Sequence, residues 1–287
     1  MYRGACETSS VFGMLLAMSA SVKLNDGREM PQLGLGVWKT TDGNEVRAVR
    51  AALDAGYRHI DTAAIYGNED GVGRAIAESG VDRESIWVTT KCWNADVRSG
   101  DVRAALHTSL KKLRLEYVDL YLVHWPVEGR VDAYREIEKL RREGLCRSIG
   151  VSNFMPEHVD ELLAATEVVP AVNQVELHPY LQPADVLESC ARHGIAIEGW
   201  SPLMQGAFKR EPLFAKVGDK HGKSAAQVVI RWALQRGFIT IPKSANPGRI
   251  QENGDVFDFE IGSDDMRAIT ALSRDQRFGP DPRNFSF

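Results

Sequence analysis

Four side chains that can act together on a carbonyl group stand at or just beyond the ends of strand-like segments. They are Asp61, Tyr66, Lys91 and His124. A phenol can give a proton to a carbonyl oxygen, and an imidazole can hydrogen-bond that oxygen. A nearby ammonium favours the ionised phenol, and a carboxylate keeps the ammonium charged. Because these groups supply no hydride, the pattern predicts a site that also holds a hydride donor.

The elements that must position these residues alternate between strand-like runs and amphipathic helical patterns. Several runs are almost continuously apolar, as is typical of parallel strands covered on both faces. The runs are 33–38, 57–63, 85–91, 117–124, 146–152, 171–177, 195–201 and 238–243. Eight such units in 287 residues predict one (β/α)8 TIM barrel, with its site at the strand carboxyl ends. A doubly wound sheet is the alternative, but no complete glycine-rich phosphate loop is present.

The boundaries of the domain follow from local signals. Residues 21–287 are predicted to form a single barrel domain that begins with a β-hairpin around the Asp26-Gly27 turn. Helices are predicted over 101–115, 156–166 and 224–237, and the long connections 202–223 and after 243 are predicted as loops on the carboxyl-terminal face. Glycines that would end helical patterns are Gly56, Gly80, Gly144, Gly194 and Gly237.

Residues 1–20 are predicted to be a flexible amino-terminal extension. The apolar run 11–18 weakly resembles a signal peptide, and a start at Met14 or Met18 is the other alternative. The composition predicts a cytoplasmic protein: 44% hydrophobic and 26% charged residues, with a formal charge of −4, leave no basic footprint for nucleic acid. Cysteines 6, 92, 146 and 190 lack metal-ligand spacing, and no run reaches the ~18 apolar residues that a bilayer crossing needs.

Six short segments in order resemble the aldo-keto reductase family. They are GYRHIDTAAIY at 56–66, Lys91, LVHWP at 122–126, GVSN at 150–153, NQVE at 173–176 and IPKS at 241–244. The resemblance runs from about Gly34 to Phe259. Segment WSPL at 200–203 is similar to the bacterial 2,5-diketo-gluconate reductases, since many family members carry tyrosine in place of Trp200.

The resemblance implies NADPH-dependent reduction of aldehydes, ketones, α-dicarbonyls or keto sugars. Tyr66 would donate the proton, Lys91 would make the phenol more acidic, and Asp61 would hold Lys91 charged. His124 would bind the carbonyl oxygen. No metal is implied, and a monomer is the expectation. Two alternatives belong to other classes: a cofactor-binding regulatory subunit without turnover, and a metal-dependent barrel hydrolase with several histidines and aspartates at strand ends.

The residues implied to hold NADPH, or its oxidised form NADP+, divide by the part of the cofactor they would contact. Ser152, Asn153 and Gln174 would bind the nicotinamide carboxamide, and Trp200 would stack on its ring. The pyrophosphate would lie beside Ser201, Leu203, Gln205 and Gly206. The 2′-phosphate would meet Lys243, Ser244 and Arg249, and the adenine end would meet Glu252 and Asn253.

The substrate pocket is predicted to have aromatic walls. Trp38, Trp93 and Trp125 would line it, with Asn94 nearby. After the fourth strand, only residues 127–130 separate Pro126 from the next helix, and the tail 274–287 would fold over the same mouth. These features predict an open site with broad specificity. Histidines 59, 107, 158, 193 and 221 are predicted to be structural or exposed, and His178 to have a supporting role.

Overall fold

The structure is a computed structural model that describes residues 20–287. The predictions for residues 1–19, including Cys6 and the start at Met14 or Met18, lie outside the described residues. The described chain opens with an antiparallel hairpin of β1 (Ser21–Lys23) and β2 (Glu29–Pro31). Gly27 has φ +88° in the turn between them, a conformation that favours glycine. The predicted hairpin is therefore confirmed.

Eight parallel strands of the described chain form a barrel, which confirms the predicted fold class. Each strand pairs with the next along the chain, and parallel bridges from Leu33 to Thr240 and from Gly36 to Lys243 join the last strand to the first. The strands are β3 (Leu35–Gly36), β4 (His59–Asp61), β5 (Trp87–Cys92), β6 (Val118–Val123), β7 (Cys146–Ser152), β8 (Val172–Glu176), β9 (Ala196–Trp200) and β10 (Ile239–Thr240).

Helices surround the barrel and bury their apolar stripes against it. They are α1 (Asn44–Asp54), α2 (Glu69–Glu78), α3 (Asn94–Ser99), α4 (Val102–Leu113), α5 (Arg130–Arg142), α6 (Pro156–Ala165), α7 (Ala184–His193), α8 (Pro212–Asp219), α9 (Ala225–Gln235), α10 (Pro247–Gly254) and α11 (Ser263–Thr270). In α9, Val228, Val229 and Trp232 are buried as the periodicity predicts. Ser224 and Gln227 form a capping box that starts this helix.

The predicted helix ends are confirmed, but one predicted loop is wrong. All five glycines that were predicted to end helical patterns have positive φ. The connection 202–223, in contrast, is more ordered than the predicted loop, because it contains a 3-10 helix (Met204–Arg210) and α8. Apolar residues of that stretch, among them Phe208 and Phe214, pack into the core and stabilise these short helices. None of the helices between residues 20 and 287 has the length and apolar character that a bilayer crossing requires.

The interior of the barrel changes from apolar to polar along its axis. At the amino-terminal end, Leu24 and Met30 of the hairpin pack in one cluster with Leu120, Val172 and Ile239. Because alternate residues of a strand face the same side, Gln174 lies above Val172, and Glu198 lies above Ala196. Register pairs Gln174 with Glu198. The strand carboxyl ends therefore carry buried polar groups that a packed core would not need.

Candidate active site

Asp61, Tyr66, Lys91 and His124 lie together at the carboxyl ends of neighbouring strands. The Lys91 Nζ donates hydrogen bonds of 2.8 Å to both carboxylate oxygens of Asp61 and to the Thr62 carbonyl. The same Nζ lies 5.1 Å from the centroid of the Tyr66 ring. The Tyr66 and His124 rings meet edge to face, with centroids 5.8 Å apart. The structure thus brings all four sequence-predicted residues into one group.

Strand ends and a short 3-10 helix position these side chains. Asp61 ends β4, and the 3-10 helix Ala64–Tyr66 then brings Tyr66 to the cleft before Gly67, which has φ +67°. Lys91 lies inside β5, and His124 follows β6 directly. Asp61, Tyr66 and His124 line a large cleft, whereas Lys91 is fully buried beneath it. Lys91 therefore acts on the site from below.

The charges within this group have defined effects on ionisation. Burial alone would lower the pKa of Lys91, but Asp61 and its hydrogen bonds raise it, so the ammonium stays charged. For Tyr66, burial raises the pKa, and the positive charge of Lys91 opposes this only in part. Lys91 therefore lowers the Tyr66 pKa as expected, but burial raises it by more, so the net pKa lies above that of free tyrosine. Desolvation outweighs the charge, and Tyr66 stays protonated at neutral pH.

His124 is a neutral hydrogen-bonding group. Burial lowers its pKa well below the usual value, and the positive charge of Lys91 adds to the effect. Its Nδ1 has no partner among the described residues, and its ring contacts the edge of Trp93 at a centroid distance of 5.2 Å. A neutral imidazole carries one N–H, which can bind a carbonyl oxygen without competing with Tyr66 as the acid.

A cleft of about 1790 Å³ extends away from this group across the barrel mouth. All thirteen residues that were predicted to hold the cofactor line it. They are Ser152, Asn153, Gln174, Trp200, Ser201, Leu203, Gln205, Gly206, Lys243, Ser244, Arg249, Glu252 and Asn253. One continuous wall thus links Tyr66 and His124 to the basic residues at the far end.

A network of amides lines the inner end of the cleft. The Asn153 amide donates to the His124 carbonyl and to the Ser152 hydroxyl, and Ser152 donates to the Gln174 carbonyl. The Gln174 amide nitrogen donates to Asp61 and to Glu198, at 2.8 Å each. Both of its N–H groups point inward, so only the amide oxygen of Gln174 remains for a ligand.

The outer end of the cleft has the donor set that a phosphate monoester requires. Lys243 and Arg249 are exposed, and neither side chain forms an ion pair within residues 20–287. Helix α10 begins beside them, where the Asn246 side chain accepts the Arg249 N–H. Two unpaired cations and a helix amino terminus favour a dianion. Lys39 and Arg47, which the sequence analysis did not single out, also line the cleft.

Trp38, Trp93 and Trp125 line the cleft near Tyr66, but Asn94 does not. Asn94 is buried, and its amide donates to the carbonyl of Phe287. The tail 274–287 crosses this mouth: the Phe287 ring stacks on Trp93 at 5.9 Å and meets Trp125 edge to face at 5.1 Å.

The tail is anchored at its other end by Glu176. This buried carboxylate accepts the backbone N–H groups of Phe278 and Gly279. It also contacts the His178 ring at 3.1 Å. His178 thus supports the tail through Glu176. The mouth is more covered than the predicted open site.

Glu198 is the main residue near this group that the sequence analysis missed. It is fully buried, and it shares the Gln174 amide with Asp61. A lone carboxyl in the apolar strand 195–201 was the available signal. Within residues 20–287, no cluster of three or more histidine, cysteine or acidic side chains could hold a metal ion.

Comparison with known proteins identifies the class. A model of the aldo/keto reductase family matches residues 32–274, so the chain belongs to that family. Glyoxal reductase of Bacillus subtilis is 49% identical over 276 residues, which cover 96% of this chain and 100% of the relative. Methylglyoxal reductase of Yersinia pestis is 49% identical over 276 residues, covering 94% and 99%. The protein is an NAD(P)H-dependent oxidoreductase that acts on carbonyl compounds.

Solved structures agree with this assignment. An aldo-keto reductase enzyme from a deep-sea metagenome library of the Medee basin superposes with a TM-score of 0.91. It is 42% identical and covers 93% of this chain and 100% of its own. An aldo-keto reductase of Bombyx mori in complex with NADP has a TM-score of 0.85 at 36% identity, covering 91% and 94%.

Proposed function

We propose that this enzyme uses NADPH to reduce small aldehydes and α-dicarbonyl compounds, with Tyr66 as the proton donor. The observation that carries the proposal is the meeting of Tyr66, Lys91 and His124 at the inner end of one long cleft. The relatives named glyoxal reductase and methylglyoxal reductase support small α-dicarbonyls as substrates.

Each residue around the substrate carbonyl has a separate role. His124 is neutral and donates a hydrogen bond that fixes the substrate oxygen. Tyr66 remains protonated at neutral pH, as a general acid must be before the reaction. As negative charge develops on the substrate oxygen, the phenolic proton moves to it. The positive charge of Lys91 then stabilises the phenolate that remains, and Asp61 keeps Lys91 oriented.

The cleft residues fit NADPH by the chemistry of their donor groups. When bound, the dihydronicotinamide supplies the hydride to the carbonyl carbon. Trp200 offers an aromatic face on the cleft wall, and Ser152, Asn153 and the Gln174 oxygen offer polar atoms for the carboxamide. At the other end, Lys243, Ser244 and Arg249 line the cleft and would hold the 2′-phosphate. These basic residues favour NADPH over NADH, because only NADPH carries a 2′-phosphate.

The test is the loss of NADPH absorbance with methylglyoxal or phenylglyoxal for Tyr66→Phe. Removing a general acid should slow turnover by about 10²- to 10⁴-fold, with NADPH binding retained. The matched control is Tyr117→Phe. The Tyr117 ring lies against the guanidinium groups of Arg83 and Arg147 and takes no part in the cleft. A Tyr66→Phe enzyme as fast as the control would contradict the proposed proton donor.

A further inference from the structure

Two buried carboxyl groups, Asp61 on the cleft wall and Glu198, share the side-chain amide of Gln174. The Gln174 nitrogen donates at 2.8 Å to Asp61 Oδ2 and at 2.8 Å to Glu198 Oε2. Asp61 has two further hydrogen bonds from Lys91 Nζ. Glu198 has no donor besides Gln174. Its Oε1 has no hydrogen-bond partner among the described residues and lies 3.4 Å from Nε2 of His59. The two carboxyls are therefore solvated very unequally.

This inequality decides where the negative charge lies. A buried carboxylate with a single hydrogen-bond donor is disfavoured, whereas a protonated carboxyl needs only one acceptor for its O–H. The nearest candidate is Nε2 of His59, in the tautomer that carries its proton on Nδ1, because burial keeps that imidazole neutral by lowering its pKa to about 3. One cation, Lys91, can balance one anion, and Asp61 holds that position. The remaining acid must carry a proton.

We infer that Glu198 is a positioning residue that stays protonated at neutral pH and so keeps a single negative charge beside Lys91. Its protonation leaves the full effect of Lys91 available to Tyr66. When Glu198 ionises, its charge opposes that effect and makes the Tyr66 phenol a weaker acid. At a pH above the pKa of Glu198, proton transfer from Tyr66 to the substrate is therefore slower.

The surrounding elements identify which groups take part. The titratable side chains around Glu198 are His59 and Asp61 from β4, Lys91 from β5, and Tyr66 from the 3-10 helix that follows β4. Strand β8 contributes Gln174, and the adjoining β10 contributes Ile239 and Thr240, none of which titrates. Burial, with the charge of Asp61, raises the pKa of Glu198 to about 8. The predicted transition therefore falls in an accessible pH range.

The test is Glu198→Gln, which has the shape of the protonated acid but cannot ionise. This test rests on the proposed role of Tyr66. The single-turnover rate of methylglyoxal reduction is measured, so that product release does not mask the proton-transfer step. The rate at pH 9 relative to pH 6.5 should be about threefold or more higher in the variant than in the parent. The matched control is Glu138→Gln. Glu138 is a buried acid of α5 that accepts the N–H groups of Glu167 and Val168, and its variant should keep the parent profile.

Infrared spectroscopy provides a readout that does not depend on turnover. The carbonyl stretch of a protonated carboxylic acid should be present in the parent at pH 7 and absent in Glu198→Gln. If that band is missing from the parent, or if the pH profiles of parent and variant superimpose, the inference is overturned. An active Tyr66→Phe enzyme would instead refute the proposed proton donor and leave the infrared band in place.

Discussion

The indole N–H of Trp200 donates a 3.0 Å hydrogen bond to the side-chain oxygen of Asn153. Asn153 in turn donates to the His124 carbonyl, so the indole is tied to the loop that follows the fourth barrel strand, β6. A Cβ at Gly279 would come within 2.3 Å of the Trp200 ring, so only glycine lets the tail pack there. Trp200 is therefore fixed by a hydrogen bond and by the tail, and it lines the cleft.

The fixed position of Trp200 predicts a stacking contribution to cofactor affinity. Trp200→Leu should weaken NADPH binding about tenfold or more, since loss of a base-stacking aromatic typically costs ~1–3 kcal/mol. Trp200→Tyr keeps an aromatic face and serves as the control, with a much smaller loss. Fluorescence titration with NADPH measures both. Equal affinities for the leucine and tyrosine variants would contradict stacking on Trp200.

The unpaired cations at the outer end of the cleft predict cofactor discrimination. Arg249→Ala should weaken NADPH binding about tenfold to a hundredfold and NADH binding much less, because hydrogen bonds to charged groups contribute ~1.5–3 kcal/mol. Arg47→Ala should also weaken NADPH binding more than NADH binding, since Arg47 lines the same cleft. Titrations with both nucleotides give the ratio. Equal losses for NADPH and NADH would refute contact with the 2′-phosphate.

A surface arginine on the same helix serves as the control for Arg47. Arg50 lies one turn further along α1, does not line the cleft, and pairs with Glu78 at 3.5 Å. Arg50→Ala removes the same charge from the same helix, and should leave the ratio of NADPH to NADH affinity unchanged. A general electrostatic effect of net charge would lower it in both variants.

The aromatic tail predicts selection by substrate size. Phe287 covers Trp93 and Trp125, so Phe287→Ala should widen the mouth. The ratio of kcat/KM for phenylglyoxal to that for methylglyoxal should rise about threefold to tenfold, within the range for steric discrimination in apolar pockets. Ser286→Ala, at the exposed neighbouring position, is the control. An unchanged ratio would mean that the Phe287 ring does not limit access.

The buried acid Glu198 predicts a pH dependence of stability. Its pKa is raised to about 8 in the folded protein, above the value of an unfolded glutamate. The folded state therefore binds an extra proton between those values, and stability falls as the pH rises through that window. Glu198→Gln removes this loss. Relative to the parent, its free energy of unfolding should rise by up to about 4 kcal/mol from pH 5 to pH 8.

Urea unfolding at several pH values measures this difference. The control Glu138→Gln should show no such trend, because backbone N–H groups already solvate the Glu138 carboxylate. Parallel stability curves for the parent and Glu198→Gln would show that Glu198 is ionised in the folded protein.

The order of the barrel strands was predictable because each strand leaves a local apolar run. The positions of Asp61, Lys91 and His124 at strand ends followed from the same runs, since parallel strands bring their carboxyl ends to one side. The cofactor residues required the family resemblance, because positions such as Arg249 and Asn253 have no distinctive local pattern. Their common cleft depends on how α10 packs against α1.

Other features depend on three-dimensional context that a sequence does not contain. The net direction of the Tyr66 pKa is a balance between burial and the charge of Lys91, and neither depth nor distance is visible in the chain. Glu198 is a single acid in an apolar strand, and its pairing with Gln174 follows only from the register of β8 and β9. The position of Asn94 behind the cleft wall depends on the tail, which arrives from 193 residues away.

The complete burial of Lys91 also separates the lysines of this enzyme by chemical reactivity. Acylating reagents attack a free amine that they can reach, and Lys91 offers neither access nor an uncharged nitrogen. Lys243, open to solvent at the far end, is available to them. Acetylation would therefore modify Lys243, which we propose as a contact of the 2′-phosphate, and leave Lys91 chemically intact.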